Sequence, residues 1–262
     1  MALTRRKFCQ MALATGAASW LVPRASVAAP TWVDQRQVGP FICQSAFPLV
    51  QHQELLAELP PLERELQRVL AVRPLKSPIY LYLLASEEQH KAYIAERYPQ
   101  IPYRRALYVR QDDQSNIFAY YDKELPVDLR HECTHALLHG DLPMVPLWLD
   151  EGLAEYFEVK KEDRARKNPH LRPLKRDLAF KGIPYISELE RHEKLEEMTA
   201  RDYRHSWAWV HFMLHGPRAA HAELVMYLLD IRSNTVPGSL GERLARAVPN
   251  VQAHLIQHFR NL

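Results

Sequence analysis

The sequence predicts an α+β fold, in which a small N-terminal sheet, mainly antiparallel or mixed, is followed by a helical half. Of the 262 residues, 47% are hydrophobic and 25% are charged, which is the composition of a globular chain with a packed core. Segments typical of β-strands lie before residue 122, whereas segments with helical periodicity follow Val127. Strands grouped early and helices grouped late indicate helices that pack on one sheet.

Three regions are expected along the chain: a cleaved export signal over residues 1–29, an irregular N-terminal segment over 30–54, and a single folded domain over 55–262. Residues 31–52 contain two prolines and show no clear periodicity, so no regular structure is predicted there. Leucines then recur at helical spacing over 55–70 and predict a helix that Pro60 and Pro61 interrupt.

The predicted sheet comes after this helix. Residues 79–84 form an uninterrupted apolar run after a proline and are predicted to be a strand. Ser86 is then a suitable N-cap for a short helix. Two more strands, over 105–110 and 117–121, are separated by the polar residues 111–116 and are predicted to form a hairpin.

Helices are predicted for most of the chain beyond this hairpin. Their apolar residues recur at intervals of three and four, as expected of helices that bury one face. The expected helices cover approximately residues 127–139, 150–160, 203–215, 219–231, 239–247 and 250–260.

The first 29 residues have the three parts of an export signal. A charged patch with Arg5 and Arg6 precedes an uncharged, apolar stretch over 11–22, and small residues follow at 26–29. The apolar stretch is too short for a stable membrane span. The paired arginines resemble a twin-arginine export signal, with an ordinary secretory signal as the alternative. Either signal predicts cleavage near Ala28 and a periplasmic or secreted protein.

The net charge argues against nucleic-acid binding. The full chain carries +3, but residues 1–28 hold four basic residues and no acidic one, so the chain without them carries −1. A net charge near zero argues against electrostatic binding of nucleic acid as the main activity.

Few cysteines remain once the signal is removed. Cys9 leaves with the signal, so the mature chain keeps only Cys43 and Cys133. In an oxidising compartment these two could form one disulfide or remain two buried thiols. A zinc site built on cysteine thiolates is excluded, because no Cys-x-x-Cys pair occurs.

The segment His131-Glu132-Cys133-Thr134-His135 carries the strongest chemical signal in the sequence. Two histidines four positions apart lie on one face of a helix and can bind the same Zn²⁺. Glu132 is displaced around the helix, so it cannot easily be a third ligand. It can instead take a proton from a water held at the open side of the metal.

A third ligand is expected from residues 148–158, where a second helix begins. Asp150 is a suitable N-cap for this helix, and a carboxylate near its start would complete a His₂Glu site with the fourth position open. His139 lies two turns after His131 and is a weaker candidate, expected to interact with the dipole at the helix C-terminus.

These segments resemble the gluzincin zinc metallopeptidases with a peptidase MA-like domain, over about residues 55–232. In that class a His-Glu-x-x-His helix is followed by a second helix with a glutamate ligand, and the aminopeptidase form Trp-Leu-Asn-Glu-Gly-Phe-Ala is similar to residues 148–154. The resemblance assigns the third ligand to Glu151 and implies a zincin-like fold with one Zn²⁺ per chain. It makes Glu155 the acid that hydrogen-bonds a zinc-bound histidine, with an exposed helix acid as the alternative, whereas Glu158 is expected to point elsewhere.

A donor for the oxyanion of the transition state is expected in a later segment. Residues 201–210 resemble the tyrosine-containing segment that follows the third ligand in peptidase MA-like domains. Tyr203 is the preferred donor and His205 the alternative. Tyr203 could also be a packing residue at the start of its helix.

The resemblance implies an exported, zinc-dependent metallopeptidase that acts on peptide or protein substrates. Endopeptidase action is preferred, because the Gly-x-Met-Glu-Asn motif with which aminopeptidases grip the substrate amine has no counterpart here. Two other functions are compatible with the same residues: a zinc-containing binding or regulatory module with little turnover, and a hydrolase of a non-peptide amide or ester. The presence of Glu132 favours an enzyme, since a metal scaffold needs no base.

Overall fold

The computed structural model describes residues 30–111, 113–180 and 182–262. These residues form a five-stranded mixed sheet followed by a helical half, which confirms the predicted α+β class. The export signal predicted over 1–29 lies outside the described residues. Within the described ranges, each helix is too short or too polar to cross a lipid bilayer.

The sheet is built from strands in the first half of the chain. The strands are β1 (Asp34–Val38), β2 (Phe41–Ser45), β3 (Ile79–Leu84), β4 (Leu107–Gln111) and β5 (Gln114–Tyr120). They lie in the order β1-β2-β3-β5-β4, so β1 and β4 are the edges. Strand β3 is parallel to both neighbours, whereas the outer pairs are antiparallel. The predicted hairpin is confirmed, with a tighter turn than expected because Gln111 pairs with Gln114.

The prediction that residues 31–52 are irregular is wrong. Strands β1 and β2 form a hairpin with Gly39 and Pro40 in its turn, and Gly39 has a φ of 58°, which glycine adopts without strain. The sequence conceals β1 because its residues are almost all polar, as an edge strand with alternate side chains in solvent allows. Strand β2 is an inner strand, so this segment is an integral part of the sheet.

The six helices predicted after the hairpin are found, each beginning within three residues of its expected start. Two further helices, over residues 171–180 and 186–189, are not predicted by the sequence pattern. The helices of the described residues are α1 (Gln53–Leu70), α2 (Glu87–Arg97), α3 (Leu125–His139), α4 (Leu147–Phe157), α5 (Leu171–Phe180), α6 (Ile186–Leu189), α7 (Ala200–His215), α8 (Arg218–Arg232), α9 (Leu240–Ala247) and α10 (Val251–Arg260).

Helix α1 runs without interruption through Pro60 and Pro61, so the predicted break is wrong. Its six buried leucines lie on one side of the helix, which packs against α3 and α8. We infer that this burial outweighs the backbone hydrogen bonds that the two prolines remove.

Three helices support the cavity described below. Helix α3 packs on β5 and α1, and α4 packs between α3 and α7. Gly152 permits a close approach of α4 to α7, because a Cβ at this position would lie 2.7 Å from the carbonyl oxygen of Ser206. Tyr203, one turn before Ser206, is thereby held close to Glu151 at the start of α4.

The two cysteines of the described chain are free thiols in the core, which favours the second of the two alternatives left open by the sequence. Burial raises the pKa of Cys43 to about 12, and it also raises the pKa of Cys133. Thiols with such high pKa values are poor nucleophiles and poor metal ligands.

Candidate metal centre

Helices α3, α4 and α7, together with the start of β4, line a cavity of about 250 Å³. The cavity brings together all five residues that the sequence predicts for the site, which are His131, Glu132, His135, Glu151 and Tyr203. Its remaining wall is formed by Arg104, Ala106, Leu107, Tyr108, His139, Asp150 and Leu195.

Three donor groups converge in this cavity. His131, His135 and Glu151 each offer one ligand atom, and these atoms lie within 4.8 Å of one another. The Nε2 atom of His131 is 3.6 Å from Oε2 of Glu151, and the Nε2 atom of His135 is 3.9 Å from Oε1. Both separations are too long for hydrogen bonds, and the first matches the roughly 3.3–3.6 Å between ligands of a tetrahedral zinc ion, whereas the second is slightly longer. Two imidazoles and a carboxylate are also a donor set that zinc prefers, so the three groups fit this ion.

The second ring nitrogen of each histidine faces a carboxylate. The Nδ1 atom of His131 hydrogen-bonds Oε2 of Glu158 at 2.9 Å. The Nδ1 atom of His135 lies 3.1 Å from Oδ1 of Asp150. Each ring is therefore oriented with Nε2 towards the cavity, and a carboxylate in this position makes an imidazole a better metal ligand.

The roles expected of Glu155 and Glu158 are reversed. Glu155 pairs with His170, with 2.7 Å between its Oε2 atom and Nε2 of the ring, and not with a candidate ligand. Glu158, expected to point elsewhere, is the residue that bonds His131. It lies seven residues after Glu151, two helical turns along α4, and its side chain at the end of the helix meets α3.

Asp150 is not the N-cap that the sequence predicts. Helix α4 begins at Leu147, directly after Pro146, so Asp150 lies in the first turn. Its carboxylate faces α3, where Oδ2 is 2.9 Å from Nε2 of His139 and Oδ1 faces His135. His139 thus has a side-chain partner in α4 in addition to its place at the end of α3.

Carboxylates dominate the electrostatics of the centre. Burial by itself lowers the pKa of His135, but Asp150 and Glu151 reverse this effect and raise it to about 9. Burial also lowers the pKa of His131, and here Glu151 and Glu158 raise it well above its ordinary value. Surroundings that favour an imidazolium also favour a metal cation in the same place.

Glu132 and Tyr203 face the cavity from different helices. Burial raises the pKa of Glu132, while the neighbouring His131 and His135 act in the opposite direction. Burial, together with the charge of Glu151, raises the pKa of Tyr203, so its hydroxyl keeps its proton and remains a hydrogen-bond donor.

His205, the alternative oxyanion donor, does not line this cavity. Its Nε2 atom lies 3.2 Å from Oδ2 of Asp177 in α5, on another side of α7. Burial lowers the pKa of His205 to about 4. The geometry therefore favours Tyr203 over His205 as the donor.

Neither a protein-family model nor a curated protein sequence matches the chain. Among solved structures, the chain is similar to an M1 zinc metallopeptidase from Deinococcus radiodurans, with 16% sequence identity and a TM-score of 0.47. The similarity covers 87% of this chain and 50% of the other, so the chain spans about half the length of that protein.

Proposed function

We propose that this protein is a zinc-dependent peptidase, in which His131, His135 and Glu151 bind the metal. The convergence of these three donor groups beside Glu132, in a cavity open to a substrate, is the observation that carries the proposal. Peptide bonds are the proposed substrate because the motifs resemble those of peptidases, and endopeptidase action is preferred because the amine-binding aminopeptidase motif is missing from the sequence.

When bound, zinc would supply a Lewis acid that polarises the scissile carbonyl and lowers the pKa of a water molecule. Glu132 would accept the proton of the attacking water and pass it to the leaving amine. Tyr203 would donate its hydroxyl hydrogen to the carbonyl oxygen as negative charge develops there. Asp150 and Glu158 would keep the two imidazole rings in the orientation that binding requires.

The test separates the base from the ligands. Glu132→Gln keeps the shape of the side chain but removes the proton acceptor, so zinc content should stay unchanged while peptide turnover falls at least ~100-fold. Glu124→Gln, the same change at the start of α3 and outside the cavity, is the matched control and should keep full turnover.

Two results would contradict the proposal. Undiminished turnover in Glu132→Gln would remove this residue from the chemistry. A wild-type protein that binds zinc but hydrolyses no member of a peptide library would instead favour the binding or regulatory module.

We also propose that the protein is exported by the twin-arginine route and acts in the periplasm or outside the cell. The paired Arg5 and Arg6 before an apolar stretch support this proposal. Replacing both arginines by lysine should leave full-length precursor in the cytoplasm. Normal processing of this double variant would indicate the general secretory route.

A further inference from the structure

Arg104 is a cationic residue in the wall of the candidate metal centre. It is partly buried and lies in the segment between α2 and β4. Its guanidinium forms neither a hydrogen bond nor an ion pair with any residue in the described ranges. A guanidinium carries five N–H donors and is always charged, so an unpaired one in a cavity is available to a ligand.

The neighbouring Arg105, in contrast, is neutralised by two aspartates. Its Nη2 atom lies 3.0 Å from the carboxylate of Asp122 and 2.9 Å from that of Asp128. Arg105 does not line the cavity. Of two consecutive arginines, one is thus held by two aspartates and the other faces the candidate site without a partner in the described chain.

Each of the three carboxylates that line the cavity lies next to histidines, and Glu132 responds to the charges of His131 and His135. Asp150 faces His135 and His139, and Glu151 faces the Nε2 atoms of His131 and His135. The charge of Arg104 does reach Tyr203, where it acts to lower the pKa that burial and Glu151 raise. Arg104 and Tyr203 line the same cavity, close enough for the charge of the guanidinium to act on the phenol.

We propose that Arg104 is a specificity residue that binds a carboxylate of the substrate, so that the site prefers peptides with a negative charge near the scissile bond. The inference rests on the proposed peptidase function. A planar guanidinium and a carboxylate form two parallel, charge-assisted hydrogen bonds, which fix the position of the substrate as well as its charge. The carboxylate has two sources, an acidic side chain or the free C-terminus of a short peptide.

The experiment compares matched peptides that differ only in this charge. One pair carries Glu or Gln next to the scissile bond, and a second pair has a free or an amidated C-terminus. The wild-type enzyme should show a kcat/KM about 10-fold or more higher for the charged member of one pair, mainly through KM, because a hydrogen bond to a charged group is worth roughly that factor. The pair that responds identifies the source of the carboxylate.

Two substitutions test whether Arg104 is responsible. Arg104→Gln should reduce kcat/KM for the charged peptide to that for its neutral partner. Arg105→Gln, the control, should keep the full preference although it loses the ion pairs to Asp122 and Asp128. Equal rates on both members of each pair in the wild-type enzyme, or an unchanged preference in Arg104→Gln, would overturn the inference.

A binding measurement separates this inference from the proposed function. Fluorescently labelled forms of the same peptide pairs are titrated into the Glu132→Gln protein and into the Glu132→Gln, Arg104→Gln double variant. Tighter binding of the charged peptides that depends on Arg104, with no hydrolysis by the wild-type protein, would contradict the peptidase function and support the recognition role. Hydrolysis without any charge preference in rate or binding would support the peptidase and overturn the recognition role.

Discussion

Two pairs of histidines in this protein have the same spacing but very different surroundings. His131 and His135 lie four residues apart on α3, and His211 and His215 lie four residues apart on α7. Their ring centroids are 4.9 Å and 4.6 Å apart, respectively. Both pairs lie on helices that pack against α4. Spacing and burial alone therefore do not distinguish a metal centre from a core contact.

The partners of the rings distinguish the two pairs. The α3 pair faces carboxylates of α4, which raise the pKa of His135 to about 9. In the α7 pair, His211 has its Nδ1 atom 3.0 Å from Nε2 of His258 and its Nε2 atom 2.9 Å from the carbonyl oxygen of Ala165. His215 shares a hydrogen bond with the hydroxyl of Tyr156.

The two environments shift the imidazole pKa in opposite directions. Burial lowers the pKa of His211 to about 3, and no carboxylate opposes it among the described partners of this ring. The carboxylates of a second helix therefore make a histidine pair suited to holding a cation, whereas neutral partners leave the same spacing as an uncharged core contact.

We expect the largest change in activity from the residue of α7 that faces the site. We predict that α7 contributes to catalysis through Tyr203 in its first turn and not through the histidines further along. Tyr203→Phe should keep zinc and fold, and should lower kcat roughly 100- to 1000-fold with little change in KM, because the hydroxyl acts only in the transition state. Steady-state kinetics on one peptide substrate measures this effect.

His205→Gln and His215→Gln are the controls for this prediction, since both residues lie on the same helix outside the cavity. Both should keep kcat near the wild-type value. If His205→Gln loses turnover while Tyr203→Phe keeps it, the assignment of the oxyanion donor is wrong.

We predict a smaller effect, on zinc affinity, for the carboxylates that distinguish the α3 pair. Glu158→Gln removes the charge behind His131 and should weaken zinc binding about 10- to 100-fold, the usual consequence of losing such a partner. Competition with a chelating dye measures the affinity. Glu155→Gln is the matched control on the same helix, because its partner is His170. A larger loss in Glu155→Gln than in Glu158→Gln would restore the role that the sequence suggests for Glu155.

The third prediction is that His211, in the α7 pair, makes the folding stability depend on pH. The pKa of His211 is about 3 in the folded protein, below the value of about 6.5 expected when unfolded. The unfolded state therefore binds more protons between these pH values, and stability falls as pH decreases through this window. We expect His211 to contribute roughly 1–2 kcal/mol of the loss between pH 7 and pH 5.

Urea unfolding at pH 7 and pH 5 measures this contribution. His211→Gln should lower the stability at pH 7, but it should lose less on going to pH 5 than the wild-type protein does. Any release of bound zinc at low pH would affect both proteins equally, so the difference between them reports on His211. An equal loss in both would show that His211 is not held neutral in the folded protein.

Much of the fold, and the histidines and glutamates that meet in the candidate metal centre, could be predicted from sequence, because periodicity and motif spacing report on residues that are near each other in the chain. The helix carrying His131 and His135 is such a case. The prediction failed where a distant contact decides the local structure. Strand β1 is polar because it is an edge strand, and α1 continues through two prolines because its leucines are buried.

The supporting residues of the site could not be assigned from sequence for the same reason. The sequence predicts Asp150 as an N-cap, yet the helix begins three residues earlier and the carboxylate of Asp150 faces α3. Which of Glu155 and Glu158 meets His131 depends on the angle at which α4 crosses α3. Arg104 carries no motif, and only the fold brings it into the cavity.

Metal analysis of purified mature protein shows whether a zinc ion is bound where α3 meets α4. The wild-type protein should contain about one Zn²⁺ per chain. His131→Ala and Glu151→Ala should lose most of it, whereas His215→Ala, the equivalent change in the second histidine pair, should keep it. Full zinc content in Glu151→Ala, or loss of zinc in His215→Ala with His131→Ala unaffected, would contradict the assignment of the metal centre to the junction of α3 and α4.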